Sequence, residues 1–511
     1  MSLLGIDVGT TGCKSAVFSA DGSLLALRYV EYDIQRPQPR TAELDSRSVW
    51  AKIHTVIREA VAASAVGRDI RAVAVASMGE NMVPVSRDRS ILGPSILNVD
   101  CRGEEYLAEL QSRLPNARLY GLNGNVWGNQ YSLPKLMWIR QYQPELYEKT
   151  YKFLHWSSFV TFMLGGEPMI DYSLANRSLL FDIHREDWSA ELLQLGGIDR
   201  EKLPVTVASG VQVGSVGARQ AEELGIPAGT PLVSGAHDQC ANQLGCGVIE
   251  DGMAMYGMGT FPTIAPVFCA SPSADVMIST GLNTEHHAVP GRFVSFIFHM
   301  GGSAVKWYRD TFAAEEHRRA QDAGDDVYPR LFGEMPATQA PLLLLPRFAP
   351  MGPPDFEAEA CAAILGLSLE TRRGDVLKAI VEGNTLALNL SVERLPRAGI
   401  NVDSFRVVGG GSRSDGAVQI AADIFGRPMT RSLVGETGAL GAALLAGVGC
   451  RVFRDFREAV TATVQIGDTF EPNPRHHARY QEIFALYREF RSLVQPLSDK
   501  WNALQRRLNE A

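Results

Sequence analysis

The sequence predicts an α/β protein built as two large units. Three observations carry this reading. Short apolar strands alternate with amphipathic helices from the first residues onward. The 511 residues exceed what one hydrophobic core accommodates. An apolar strand that runs into an aspartate occurs at Asp7 and again at Asp238.

Residues 2–8, 13–19 and 23–31 read as three strands, the second turn being Asp21-Gly22. From Ser46 to about Ser64, Val49, Ile53, Val56, Ile57 and Ala60 recur at helical spacing behind a start at Asp45 or Ser46. Residues 70–76 form a short buried strand, and helices are expected at 101–114, 131–142, 155–164 and 188–195. Gly225-Ile226-Pro227-Ala228-Gly229-Thr230-Pro231 reads as a linker turn, dividing the chain into units of 1–230 and 231–511. The second unit then opens on Leu232–Asp238, with Asp251-Gly252 following much as Asp21-Gly22 follows Asp7. This spacing predicts an internal duplication with a phosphate-facing aspartate in each half. Strands are expected at 253–258, 262–268, 292–298 and 404–408, and helices at 373–396, 415–425 and 436–447. Near the C-terminus Tyr480, Ile483, Phe484, Tyr487, Phe490 and Val494 predict a helix packed across the second unit and interrupted by Pro496.

Composition narrows the function. The chain is 45% hydrophobic and 21% charged, with a formal charge of -8 and a pI near 5.8. These values give no basic footprint for nucleic acid or acidic membranes. Small molecules are the expected partners, with a homodimer left open. Asp7 interrupts the N-terminal apolar stretch, so no signal peptide is read there, and no apolar run approaches the roughly 20 residues of a membrane span. A cytoplasmic location is expected. Seven scattered cysteines suit a reducing compartment, and without a CxxC or paired histidines they read as free thiols rather than zinc ligands.

The chemistry concentrates in glycine-rich turns. In Asp7-Val8-Gly9-Thr10-Thr11-Gly12-Cys13-Lys14 a strand ends on a carboxylate, turns tightly and returns. Backbone amides, two hydroxyls, a carboxylate and a lysine thus share one concave spot, suited to polyphosphate and to Mg²⁺ held by Asp7. An ordinary hairpin with a polar turn is the structural alternative. Gly257-Met258-Gly259-Thr260 ends another strand, and Gly409-Gly410-Gly411-Ser412 joins a strand to a helix starting near Ser414, a place for anionic groups. Rival motifs fail: Lys14-Ser15 lacks the spacing of a P-loop, neither glycine run completes a Rossmann fingerprint, and Val75–Gly79 lacks the first glycine of a nucleophile elbow.

In combination these segments resemble the FGGY carbohydrate kinases. Asp7-x-Gly9-Thr10-Thr11-x-x-Lys14 is similar to that family's first phosphate motif, Ser234-Gly235-x-x-Asp238-Gln239 to its catalytic segment, and Gly257-x-Gly259-Thr260 to its second phosphate turn. Gly409-Gly410-Gly411-Ser412-x-Ser414 resembles the adenosine segment. Asp423-x-Phe425-Gly426-Arg427-Pro428 and Glu436-x-Gly438-Ala439-x-Gly441-Ala442-Ala443 resemble the closing signature, while Asp100-x-Arg102 and Lys135-Leu136-x-Trp138 match segments of the first domain. The resemblance implies two actin-like, RNase H-like domains around a central nucleotide and sugar cleft, with ATP and Mg²⁺ used to phosphorylate a sugar.

It also implies roles. Asp238 would be the general base; Gly9, Thr10, Thr11, Lys14, Gly259 and Thr260 would hold phosphates; Gly410, Gly411 and Ser412 would hold the nucleoside; Asp7 would contact the metal. Glu80, Asn81 and Asp100, with Asp238, would meet the acceptor. A strand-end Asp238 capping the next helix, and Asp100 in a plain surface turn, are the structural alternatives.

The acceptor region departs from the relatives. Ser77-Met78-Gly79-Glu80-Asn81 replaces the Gln-x-His-Gly of xylulokinases; the Arg-Glu pair of glycerol kinases keeps its glutamate as Glu80 but has no preceding arginine. Asn98 stands where a tryptophan is usual, Met351–Asp355 replaces a Glu-Arg-Thr-Pro run, and Ala362 falls near a usual arginine. D-xylulose is the expected acceptor, with L-ketopentoses, erythritol, glycerol and gluconate as alternatives. A non-catalytic actin-like ATP switch is the rival from another class.

Overall fold

The computed structural model describes residues 1–259, 261–270, 272–299, 301–349 and 360–509. Thr260 and the Met351–Asp355 segment lie outside the described residues.

The first sheet comprises β1 (Ser2–Val8), β2 (Gly12–Ser19), β3 (Leu24–Glu31), β4 (Ile70–Ser77), β5 (Gln212–Ser215) and β6 (Pro231–His237), in the order β5-β6-β4-β1-β2-β3. β1, β2 and β3 form an antiparallel meander, whereas β4 runs parallel to both β1 and β6. α1 (Ser46–Ser64) starts where the sequence places it: Asp45 accepts from the N–H groups of Arg47 and Ser48, and the five anticipated apolar residues are buried. α2 (Trp156–Leu164) follows, and α3 (Asp238–Gly245) continues directly from β6.

The second sheet repeats this plan. It comprises β7 (Gly252–Gly257), β8 (Thr263–Phe268), β9 (Glu285–His286), β10 (Phe293–Val294), β11 (Ile297–Phe298), β12 (Val402–Val408), β13 (Met429–Ser432) and β14 (Ile466–Phe470). Their order is β9-β10-β8-β7-β12-β13-β14, with β11 paired to β8. β7 and β8 are antiparallel, β12 is parallel to β7 and β13, and β14 closes the edge antiparallel. Among the helices of this unit are α4 (Arg373–Val392), α5 (Asp415–Phe425), α6 (Thr437–Gly449) and α7 (Pro474–Asn509).

Two expectations need correction. The sequence places β6 at the opening of the second unit, after residue 230, yet it pairs with β4 and β5 of the first sheet. The duplication is real in a different register: the counterpart of β1 is β7, and the counterpart of β6 is β13. Apolar content shows that 231–237 is a buried strand, but the sheet it joins is decided by long-range pairing. α7 also continues through Pro496 to Asn509 rather than stopping; proline removes its own N–H and strains one turn, which flanking helix outweighs here.

Alternation along the strands sets the layers. Val73 and Val75 face α1 and α2, while Ala72, Ala74 and Ala76 face α6 of the second unit. Small residues on this second face let α3 and α6 meet at backbone distance: a Cβ at Gly441 would overlap the Ala241 carbonyl oxygen. That core fixes the starts of α3 and α6 beside the C-terminal ends of β1, β4 and β6, where ligands of open α/β sheets bind.

Candidate active site

Three strand ends deliver the central groups. Asp7 sits one residue before the end of β1, Ser77–Asn81 leave β4, and Asp238 is the first residue of α3. His237 is the cap position and makes no side-chain capping bond, so Asp238 is not the cap that the structural alternative required. The Asp238 side chain retains 24% of its exposure, and its Oδ1 lies 3.2 Å from His237 Nε2. Burial, followed by Arg177 and His155, holds the His237 imidazole well below its usual pKa, so it is neutral. Burial, reinforced by the charges of Asp7 and Glu80, pushes the Asp238 carboxyl up to about 7.

Asp7 is pushed up to about 6, chiefly by burial, with Lys14 opposing and Glu436 adding to the shift. A Cβ at Gly438 would come 2.6 Å from Asp7 Oδ2, so the carboxylate rests against the first turn of α6, where only glycine leaves room. Lys14 Nζ binds Glu436 Oε2 at 2.6 Å across the two units. The phosphate role expected of Lys14 therefore requires release of Glu436, a competition the sequence did not reveal.

Backbone hydrogen bonds close the turn expected to hold the nucleotide in the first unit and join the two expected in the second. Gly9 N–H donates to the Gly12 carbonyl at 2.9 Å, closing the first turn, and Tyr32 clamps it by donating to both the Gly9 and Gly12 carbonyls. Thr11 is exposed at its tip and Thr10 half-buried. In the second unit Gly411 N–H donates to the Met258 carbonyl at 2.8 Å, so the loop after β12 lies on the turn after β7. Gly259 and Gly410 present open backbone. Ser412 differs from expectation: its hydroxyl is buried and donates to the Gly409 carbonyl at 2.7 Å, which braces the loop.

The acceptor side contains groups that sequence reading missed. Arg177, just after the short helix Tyr172–Asn176, donates to Glu80 Oε1 and, at 2.6 Å, to Glu285 Oε1. Its guanidinium also lies 5.2 Å from the Tyr131 ring centroid. A Cβ at Gly79 would lie 3.2 Å from Arg177 Nε and 3.3 Å from His237 Nε2. Glycine at 79 thus admits an arginine from elsewhere in the chain beside Glu80. That missing arginine was the one available signal for Arg177; nothing in the sequence marked Glu285. Asn98, the tryptophan replacement, donates to Glu80 Oε2 at 3.3 Å. Asn81 is buried with neither side-chain polar atom partnered among the described residues, two unmet hydrogen-bonding groups of the kind a ligand satisfies.

Asp100 does not join this cluster, contrary to expectation. Its carboxylate is fully enclosed, accepting from Arg102 at 2.7–3.0 Å and from the Ala42 N–H at 2.6 Å. Burial alone would raise its pKa; these hydrogen bonds bring it below the usual value. Lys135 donates to the Asp100 and Arg102 carbonyls, and Arg102 lies over the Trp138 ring. The Asp100-x-Arg102 and Lys135-Leu136-x-Trp138 segments are therefore one interlocked brace.

Comparison with known proteins agrees with this geometry. Residues 2–245 match the N-terminal domain and 280–450 the C-terminal domain of the FGGY family of carbohydrate kinases. The chain belongs to that family. The kinase is 27% identical over 493 residues to the xylulose kinase of Lactococcus lactis, covering 95% of this chain and 96% of the relative. It is 28% identical over 493 residues to the autoinducer-2 kinase of Yersinia enterocolitica, covering 94% and 92%. The crystal structure of xylulose kinase from Rhodospirillum rubrum superposes with a TM-score of 0.86 at 25% identity, over 97% of this chain and 99% of that one. The kinase is thus an ATP-dependent phosphotransferase acting on a carbohydrate, with two actin-like domains. No helix among the described residues is long and apolar enough to cross a membrane, and all seven cysteines are free thiols.

Proposed function

We propose that the kinase transfers the γ-phosphoryl group of ATP to a small neutral polyhydroxy acceptor, D-xylulose first among them, giving D-xylulose 5-phosphate. The observation that carries this reading is Asp238: a partly exposed carboxylate at the start of α3, pushed up to about 7, in the electrostatic field of Asp7, Glu80 and Arg177. Asp238 accepts the proton of the acceptor hydroxyl as its oxygen bonds to the γ-phosphorus, and ADP leaves. Thr10 and Thr11 on the turn that the Gly9 N–H closes, with the open backbone of Gly259, receive phosphate oxygens; Gly410 and Gly411 lie under the nucleoside.

The residues present suit Mg²⁺. Among the described residues no cluster of three or more ligating side chains forms a protein cage for a metal. A hard cation that keeps its waters and binds through one carboxylate and the phosphates needs only Asp7. When bound it would neutralise charge on the phosphates.

Acceptor choice follows from charge. Glu80 and Glu285 share the single guanidinium of Arg177, with Asp7 and Asp238 adding further negative charge nearby, so an anionic acceptor such as gluconate is disfavoured. Glu285 here takes the part expected of Asp100. The similarity to an autoinducer-2 kinase, 28% identical against 27% for the xylulose kinase, supports testing autoinducer-2 beside D-xylulose. A coupled ADP-release assay over ketopentoses, autoinducer-2, polyols and sugar acids tests the proposal: turnover should depend strongly on a neutral acceptor, with D-xylulose among the best. Preference for gluconate, or acceptor-independent ATP hydrolysis alone, would refute it.

A further inference from the structure

The 36-residue helix α7 rests on the second unit along one side only. Tyr480, Phe484 and Tyr487 are buried there. A different side carries Leu486, Leu493, Leu497, Trp501, Leu504 and Leu508, exposed at 60, 69, 68, 53, 37 and 60%. At 100° per residue these six positions fall within about 80° of the helix circumference, and at 1.5 Å per residue they run along roughly 33 Å of its axis. A lone exposed leucine is ordinary; a continuous apolar stripe marks an interaction site.

We infer that this stripe is the seam of a homodimer in which α7 packs antiparallel against α7 of a second copy, with the two-fold axis at Leu497. The spacing of five of the six is self-complementary about that residue. Leu486 meets Leu508, Leu493 meets Trp501, and Leu497 meets itself, which is what an isologous contact demands. The exposed stripe amounts to about 700 Å² per copy, close to the roughly 800 Å² per partner of a stable interface. Charge selects the direction. The antiparallel register brings exposed Glu489 beside Arg507 of the second copy, both on the same flank of the seam. Antiparallel helix dipoles act in the same sense.

Sedimentation velocity of the full chain at micromolar concentration should show a dimer. Leu497→Glu, which places two carboxylates on the axis, should weaken dimerisation at least tenfold with kcat and Tm unchanged, because the side chain is exposed in the protomer. Cysteine pairs check the register in a Cys269→Ser background, which removes the exposed native thiol. Under mild oxidation Leu497→Cys should link to itself, Leu486→Cys should not, and Leu486→Cys mixed with Leu508→Cys should link. A wild-type monomer at tens of micromolar, a dimer indifferent to Leu497→Glu, or self-linking of Leu486→Cys would overturn the inference.

Discussion

Replacing Asp238 with asparagine tests a catalytic role and an electrostatic cost in one variant. The carboxyl is shifted from 3.8 to about 7 in the fold, mainly by burial and by Asp7. A displacement of that size corresponds to a ceiling of roughly 4 kcal/mol. Residual exposure and proton sharing with Asp7 reduce this to about 2 kcal/mol. The sign is set by linkage: the unfolded chain loses this proton near pH 4, whereas the folded chain keeps it to about 7. Wild-type stability therefore falls as pH rises between these values, and the loss is complete above 7. The amide of the Asp238→Asn variant carries no titrating proton, so the Tm difference between variant and wild type should be small near about pH 4.5 and grow to a few degrees in favour of the variant by about pH 8. In the same protein kcat should drop roughly 10²–10⁴-fold with ATP binding retained. Differential scanning fluorimetry across pH and a coupled ADP-release assay read both effects. A flat Tm difference would refute the burial argument, and retention of more than about a tenth of kcat would refute the base.

Further outcomes follow from the same geometry. Wild-type kcat/KM should decline as pH falls through about 7, because the base must be ionised; a pH-independent rate between about 6 and 8 would contradict this. Arg177→Gln leaves Glu80 and Glu285 as adjacent buried carboxylates and should cost about 3–5 kcal/mol; pairing it with Glu285→Gln should recover part of that loss in urea unfolding, and no recovery would show that the three charges do not act together. Gly438→Ala forces Asp7 to move, so kcat/KM for ATP should fall by roughly 10²-fold, with acceptor affinity by calorimetry little changed. Thr11→Val removes one donor at nearly constant volume and should lower kcat/KM for ATP by about 10-fold or more; an unchanged value would take Thr11 out of the phosphate site.

Much of the fold and half of the site were legible in the chain by itself. Periodicity located α1, α5 and α6 and most strands within a residue or two, because local apolar spacing reports directly which face of an element is buried. The glycine turns and the two strand-end aspartates announced their chemistry for a similar reason: tight turns and close backbone approach demand particular residue types wherever they occur. What the sequence left open are facts of long-range pairing. Only the sheet shows that β6 belongs to the first unit and that β7, not β6, repeats β1. Only packing shows that Asp100 is consumed by Arg102 and the Ala42 N–H, that Ser412 braces its own loop, and that Lys14 is held by a glutamate 422 residues away. Arg177 and Glu285 complete the acceptor cluster from elements far apart in the chain, and Gly79 makes room for the guanidinium. The type of each element is a local property, fixed by burial pattern and backbone geometry. The partner of each charge is decided by which strand ends the tertiary fold brings together, and no local pattern encodes that.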